Sequence, residues 1–169
     1  MRYHLLLGGN EGDVDQNMAA AIDLIREGGG VVVGVSRVYV SEPWGYESDN
    51  LFHNVAAIVD ISLGPREFLA SLKEIERMLG RKRKTAEHVY QDRPIDIDIL
   101  LCEDMVISTD DLEIPHPRMA ERRFALAPLA EISPDVRHPL LKKSIKEMLD
   151  ECEDCGVVSL ASNIRIGRL

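Results

Sequence analysis

From Arg93 to Leu101 the chain reads Arg-Pro-Ile-Asp-Ile-Asp-Ile-Leu-Leu, a strand-like run in which two carboxylates alternate with isoleucines. Side chains at i and i+2 of a strand point the same way. Asp96 and Asp98 are therefore expected on one face, and Ile95, Ile97, Ile99 and Leu101 on the other. Helices can cover the isoleucines, which leaves the aspartates on an open face with roots roughly 6 to 7 Å apart from the strand rise.

The rest of the pattern supplies those helices. Tyr3 to Leu7 reads as a short apolar strand broken by the Gly8-Gly9-Asn10-Glu11-Gly12-Asp13 turn. Val14, Met18, Ala21, Ile22 and Ile25 then recur at helical spacing up to the Gly28-Gly29-Gly30 stop. Val31 to Val40 reads as one β-branched strand, and a polar loop, Ser41 to Asn50, leads to a third strand at about Asn54 to Ile61. Gly64-Pro65 opens a second helix with Phe68, Leu69, Leu72, Ile75 and Leu79 on one face. A basic loop, Arg81 to Asp92, precedes the fourth strand at Ile95 to Leu101.

This order, β-α-β-β-α-β, predicts an α+β, ferredoxin-like antiparallel sheet with helices on one face and a C-terminal extension. In the extension a short strand is expected at Met105 to Ile107, helical pieces near Met119 to Leu129 and Ile145 to Glu151, and a last strand at Val157 to Ile166. The chain, residues 1–169, carries no linker-like run and is read as a single domain.

With 29 acidic and 20 basic side chains the net charge is -9, which argues against nucleic acid or an anionic membrane as partner. Three cysteines and no membrane-length apolar run point to the cytoplasm. Cys152-Glu153-Asp154-Cys155 has CxxC spacing but neither a second cysteine pair nor a nearby histidine to complete a zinc site. His4, His88 and His138 have no metal-ligand spacing and read as ordinary surface or core histidines.

Like charges at the Asp96–Asp98 spacing repel unless a cation lies between them. Magnesium takes oxygen ligands and is commonly held by one or two carboxylates plus substrate phosphates. On spacing alone, a polar open face explains the pair equally well. Two basic segments favour the metal: Arg81-Lys82-Arg83-Lys84 with Arg93, and Arg118 with Arg122-Arg123, cations suited to a nucleotide triphosphate. Gly8-Gly9-Asn10-Glu11-Gly12 lacks the Lys-Ser/Thr of a Walker loop.

At this point the chain resembles a family, the 6-hydroxymethyl-7,8-dihydropterin pyrophosphokinases, from about Leu5 to Pro134. Arg93-Pro94-Ile95-Asp96-Ile97-Asp98-Ile99-Leu100 is similar to one family signature, and Ile114-Pro115-His116-Pro117-Arg118-Met119 with Glu121-Arg122-Arg123-Phe124 to a second. Gly8-Gly9-Asn10, Ser41-Glu42-Pro43-Trp44-Gly45 and Phe52-His53-Asn54 also fall in family order.

The resemblance implies diphosphate transfer from ATP to the pterin alcohol with release of AMP, in folate biosynthesis. ATP is the co-substrate, and two magnesium ions are expected on Asp96 and Asp98. It implies a catalytic set of Arg81, Arg93, Asp96 and Asp98. ATP would be bound by Glu76, Arg81, Arg83, Arg93, His116, Arg118 and Arg122. The pterin would be held by Ser41, Pro43, Trp44, Gly45, Phe52, Asn54 and Phe124, with the two phenylalanines stacking on the ring. The partners are then small molecules, with the chain a monomer or weak homodimer.

Departures cluster before Arg93, where Tyr90-Gln91-Asp92 replaces the Trp-Gly-Pro often found there. They recur at Pro117, Asp111 and Glu113. Two rival readings are a non-catalytic ferredoxin-like binding module and another magnesium enzyme with paired aspartates, such as a nuclease or nucleotidyltransferase. Only the pterin reading requires Phe52, Phe124 and Asn54 to meet in one pocket.

Overall fold

The computed structural model describes residues 1–81 and 91–166, and of residues 162–165 the backbone alone. Arg83, expected to bind ATP, lies outside the described residues, as do Lys82, Lys84, His88 and Tyr90.

Strand β1 (Arg2–Gly9) is followed by helix α1 (Val14–Glu27), whose first turn is capped by Asp13 accepting from Gln16 N–H at 3.1 Å. Strands β2 (Val31–Val35) and β3 (Arg37–Ser41) lead through the polar loop to β4 (Phe52–Asp60), and helix α2 (Pro65–Met78) precedes β5 (Asp96–Cys102). The remainder forms a small β6 (Ile107–Ser108) and β7 (Glu113–Ile114) pair and a 3-10 turn at Met119–Glu121. Helices α3 (Arg123–Ile132) and α4 (Ile145–Asp150) and strand β8 (Val158–Arg165) follow.

The main sheet runs β5-β1-β4-β3-β8, with β2 also paired to β4, and every pairing is antiparallel. The inner order is that of the expected ferredoxin-like fold, and β8 adds an edge strand beyond it. Helices α1 and α2 cover one face, where Met18, Ile22, Phe68 and Leu72 pack on Leu5, Leu7, Val55, Ala57, Ile97 and Ile99. The extension adds a second layer: α3 and α4 bury Leu6, Ala56 and Leu100 from the opposite face through Leu126, Leu129, Ile145 and Met148. Among the described residues no helix is long and apolar enough to cross a membrane.

Two strand expectations need correction. The single strand from Val31 to Val40 is interrupted at Ser36. There the N–H donates to the Ala56 carbonyl and the hydroxyl accepts from Ala56 N–H, both at 2.9 Å. A side chain thus replaces a backbone acceptor, and the strand bends. Leu101 does not share the face of Ile95, Ile97 and Ile99. The β1–β5 register shifts between His4 and Leu5, leaving Leu101 opposite His4 and Ile99 opposite Leu5, and Leu101 joins Leu100 in the α3–α4 cluster. One extra residue reverses the alternation from there on.

His4 is a core histidine, 4% exposed, with Nε2 3.1 Å from Ser133 Oγ and a buried Nδ1 that has no partner among the described residues. Burial, helped by Arg2, pushes its pKa down to about 4 from an ordinary 6.5. Between those values the unfolded chain binds a proton that the folded chain refuses, so stability falls as pH falls. His4 alone is expected to remove about 2 kcal/mol by pH 5 relative to neutral pH. Urea unfolding at pH 7.5 and pH 5 checks this: His4→Gln, which keeps a donor toward Ser133, flattens the dependence by that amount. An unchanged dependence rejects the assignment.

Candidate active site

The cross-strand register builds the floor of the site. Gly8 stands between Asp96 of β5 and Asn54 of β4, and Leu6 between Asp98 and Ala56. Helix α3 covers the Leu6–Ala56 end of this face, leaving Asp96, Gly8 and Asn54 beside its N-terminus. A side chain at Gly8 would meet Asn54 Oδ1 at 3.2 Å, and one at Gly9 would meet the Pro94 carbonyl oxygen at 2.7 Å. The first glycine keeps the floor low, and the second lets β1 approach the segment before β5.

Residues distant in sequence converge above this floor. One cavity is lined by Trp44, Tyr46 and Phe52 from the polar loop and its end, Asn54, Lys73 and Arg81 from α2 and beyond, and Arg93. Asp96, Asp98, His116, Arg118, Arg122 and Phe124 also face it, with Leu6, Gly8 and Glu42. Phe52, Phe124 and Asn54 do meet in one pocket. A second depression shares Lys73, Asp98 and His116 with the first and continues along Thr109, Asp110, Asp111 and Glu113.

Charge is arranged as a chain of alternating sign. Buried Glu76 accepts from Ile97 N–H at 2.7 Å and forms an ion pair with Arg81 Nη1 at 2.7 Å. Arg81 also bonds Asp96, whose other oxygen takes Arg93 Nη1 at 3.0 Å. Burial alone would raise the pKa of Asp96, but Arg93 and Arg81 beside it hold the carboxyl below its ordinary value. For Asp98, burial and then the neighbouring Asp96 charge push the carboxyl up. The pair is short of positive charge at Asp98. Among the described residues, buried Arg93 Nε has no hydrogen-bond partner, a donor left for an incoming acceptor.

His116 is fixed by its own loop. Arg118 N–H donates to its Nδ1 at 3.2 Å, which makes Nδ1 the acceptor and leaves Nε2 as the N–H donor of a neutral ring. Burial, with Arg122 and Arg118 nearby, lowers its pKa and favours that neutral form.

At the aromatic end, Asn54 Nδ2 donates to Ser41 Oγ at 2.9 Å, which orients the amide. Arginines lie against the rings. The Arg122 guanidinium is 4.7 Å from the Trp44 ring centre and 5.6 Å from that of Phe124, while Arg93 is 5.5 Å from that of Phe52.

Most residues named from sequence line the cavity directly. Ser41 stands behind Asn54, Pro43 and Gly45 belong to the loop but not to the lining, and Glu76 reaches the site through Arg81 and Lys73. Leu6, Gly8, Glu42, Tyr46 and Lys73 also line the cavity and were not assigned to it from sequence, and Asn10 and Asp92 stand behind the lining. Asn10 brackets Arg93, accepting from its N–H at 2.9 Å and donating its own N–H to its carbonyl at 3.0 Å. Asp92 accepts from Ser48, Asn50, Asn10 and Tyr46, and those hydrogen bonds hold its carboxyl below its ordinary value. A turn asparagine beside two glycines was a visible signal; Asp92 offered none, because its donors are scattered.

A family model described as 7,8-dihydro-6-hydroxymethylpterin-pyrophosphokinase (HPPK) matches residues 4–134. A Porphyromonas gingivalis protein named 2-amino-4-hydroxy-6-hydroxymethyldihydropteridine pyrophosphokinase is 40% identical over 132 residues, 78% of this chain and 90% of the relative. One of the same name from Aquifex aeolicus is 39% identical over 148 residues, 88% of this chain and 90% of the relative. Among solved structures, wild-type Plasmodium falciparum HPPK-DHPS with STZ-DHP aligns with a TM-score of 0.71 at 16% identity over 89% of this chain, a likeness of fold. This chain spans 43% of that longer one. By family model and sequence relatives, the chain belongs to the 7,8-dihydro-6-hydroxymethylpterin-pyrophosphokinase family.

Proposed function

We propose that the protein transfers the terminal diphosphate of ATP to the hydroxymethyl oxygen of 6-hydroxymethyl-7,8-dihydropterin, releasing AMP, as a step of folate synthesis. One observation carries the reading. The cavity with two phenylalanines and an oriented amide also contains the arginine–carboxylate chain, and it shares Asp98, Lys73 and His116 with a second depression. A flat heteroaromatic ring fits the first, and a nucleotide reaching from the second brings its phosphates to the shared residues.

The residues suit magnesium. Asp96 and Asp98 offer hard oxygen donors. Among the described residues no cluster of three or more histidine, cysteine or acidic groups competes for the role, and a carboxylate pair short of positive charge matches an ion completed by water and phosphate. Asp96 and Asp98 would hold it, two ions in our reading. When bound, it neutralises phosphate charge and polarises the transferred group.

Each side chain then has a task. Phe52 and Phe124 bracket the pterin ring, while Asn54 reads its polar edge and Ser41 keeps the amide turned. Arg93 presents to phosphate its Nε, which has no partner among the described residues, and Arg81, Arg118, Arg122 and Lys73 add charge. His116 donates from Nε2 to a phosphate oxygen. The bond from the pterin oxygen to the β-phosphorus forms as the bond to the bridging α,β-oxygen breaks. AMP leaves with that electron pair, and the hydroxyl proton passes to water. Such a transfer depends on alignment and charge stabilisation more than on a strong base.

Incubation with magnesium, ATP and the dihydropterin alcohol is expected to yield AMP and the pterin diphosphate in equal amounts, read by anion-exchange chromatography. ADP as the nucleotide product, or no pterin-dependent turnover, rejects the reading.

A further inference from the structure

Asp92 lies outside the cavity lining, yet it joins three separated segments around it. Its Oδ1 accepts from Asn10 Nδ2 at 2.7 Å and Tyr46 OH at 3.0 Å, and its Oδ2 from Ser48 Oγ at 2.9 Å and Asn50 Nδ2 at 2.6 Å. Four donors match the four lone-pair sites of a carboxylate. No neutral side chain of similar size offers four acceptor sites on two oxygens.

Both consequences of this junction meet at Phe52. Tyr46, held by its hydroxyl, stands edge-on to the Phe52 ring with centres 6.4 Å apart and planes at 88°. Asn10, with Nδ2 committed to Asp92, must present Oδ1 to Arg93 N–H, and the Arg93 guanidinium then lies over the same ring. One carboxylate therefore sets the orientation of the aromatic wall and the placement of the arginine beside it.

Resting on the pterin reading above, we propose that Asp92 is a positioning residue for the transfer: it locks the Tyr46–Asn50 loop to the Arg93 segment so that pterin and phosphate subsites form in register. Its loss leaves every residue of the lining present and misaligns two of them, a kind of error to which transfer reactions are sensitive. Asp92→Asn swaps one acceptor oxygen for a donor, breaking part of the junction without changing its size.

The test measures dihydropterin affinity through quenching of Trp44, the single tryptophan, together with kcat and thermal midpoint, for wild type, Asp92→Asn, Tyr46→Phe and the double variant. Asp92→Asn is expected to weaken pterin binding about tenfold and to lower kcat by a similar factor. The affinity for ATP, measured without pterin, should change less than about threefold. Tyr46→Phe, which keeps the ring but loses the bond, should show a smaller loss that disappears in the Asp92→Asn background.

Wild-type pterin affinity and kcat in folded Asp92→Asn overturn the proposal. So do parallel losses of pterin and ATP affinity that track the thermal midpoint, which mark a merely structural staple. If Asp92→Asn does not fold, Tyr46→Phe decides alone: unchanged pterin affinity and kcat overturn the proposal. Wild-type protein without pterin-dependent AMP release overturns both readings, whereas normal wild-type turnover with silent variants removes this one only.

Discussion

Asp98→Ala is expected to cut pterin-dependent AMP release by more than about a hundredfold, the upper end of what loss of an outer partner of a metal ligand costs, while the thermal midpoint stays level or rises. The two readouts diverge because of where Asp98 sits. Burial and the Asp96 charge both disfavour its ionised form, so the folded chain gains nothing by carrying a carboxylate there. Asp96→Ala should match it in activity but lower the midpoint, because Arg81 and Arg93 lose a shared partner. Turnover assays beside thermal melts separate the pair. Near-normal rates in both variants reject the carboxylate reading, and a lowered midpoint in Asp98→Ala rejects its energetic half.

Glu76→Ala is expected to cost about 3 kcal/mol of stability, the lower end for breaking a buried ion pair. Glu76 is 2% exposed and accepts the N–H of Ile97 in the middle of β5. Truncation leaves that N–H without its acceptor and Arg81 with Asp96 alone. Arg81 is then drawn fully onto Asp96, so activity should fall as well. Glu76→Gln keeps an acceptor oxygen for Ile97 and should lose only about 1 kcal/mol. Urea denaturation measures both, and an alanine variant within about 0.5 kcal/mol of wild type sinks the argument.

The readable parts of the molecule were those governed by local periodicity. Asp96 and Asp98 could be assigned to one face and Ile97 and Ile99 to the other because a two-residue period is written in the strand itself. The helices followed from 3.6-residue spacing closed by glycines. Leu101 escaped because the shift that turns it over arises where β1 meets β5, and no stretch of β5 records it. Ser36 escaped for a related reason: its hydroxyl replaces a backbone acceptor only once Ala56 is opposite. Within the site, aromatic and charged residues were visible as types. Asp92 was passed over because its four donors come from residues 10, 46, 48 and 50, so only the folded chain brings them to one point.

The segment after residue 134, beyond the family match, reaches back to the start of α3. Asp154 accepts the Arg123 N–H through its carboxylate at 3.0 Å and the Arg123 Nε–H through its carbonyl at 2.9 Å. Arg123 sits between Arg122 and Phe124, both of which line the cavity. For protein engineering, the matched region is therefore not a transplantable cassette. A chimera carrying residues 4–134 on a foreign tail would inherit the whole signature and lose the latch that sets its last helix.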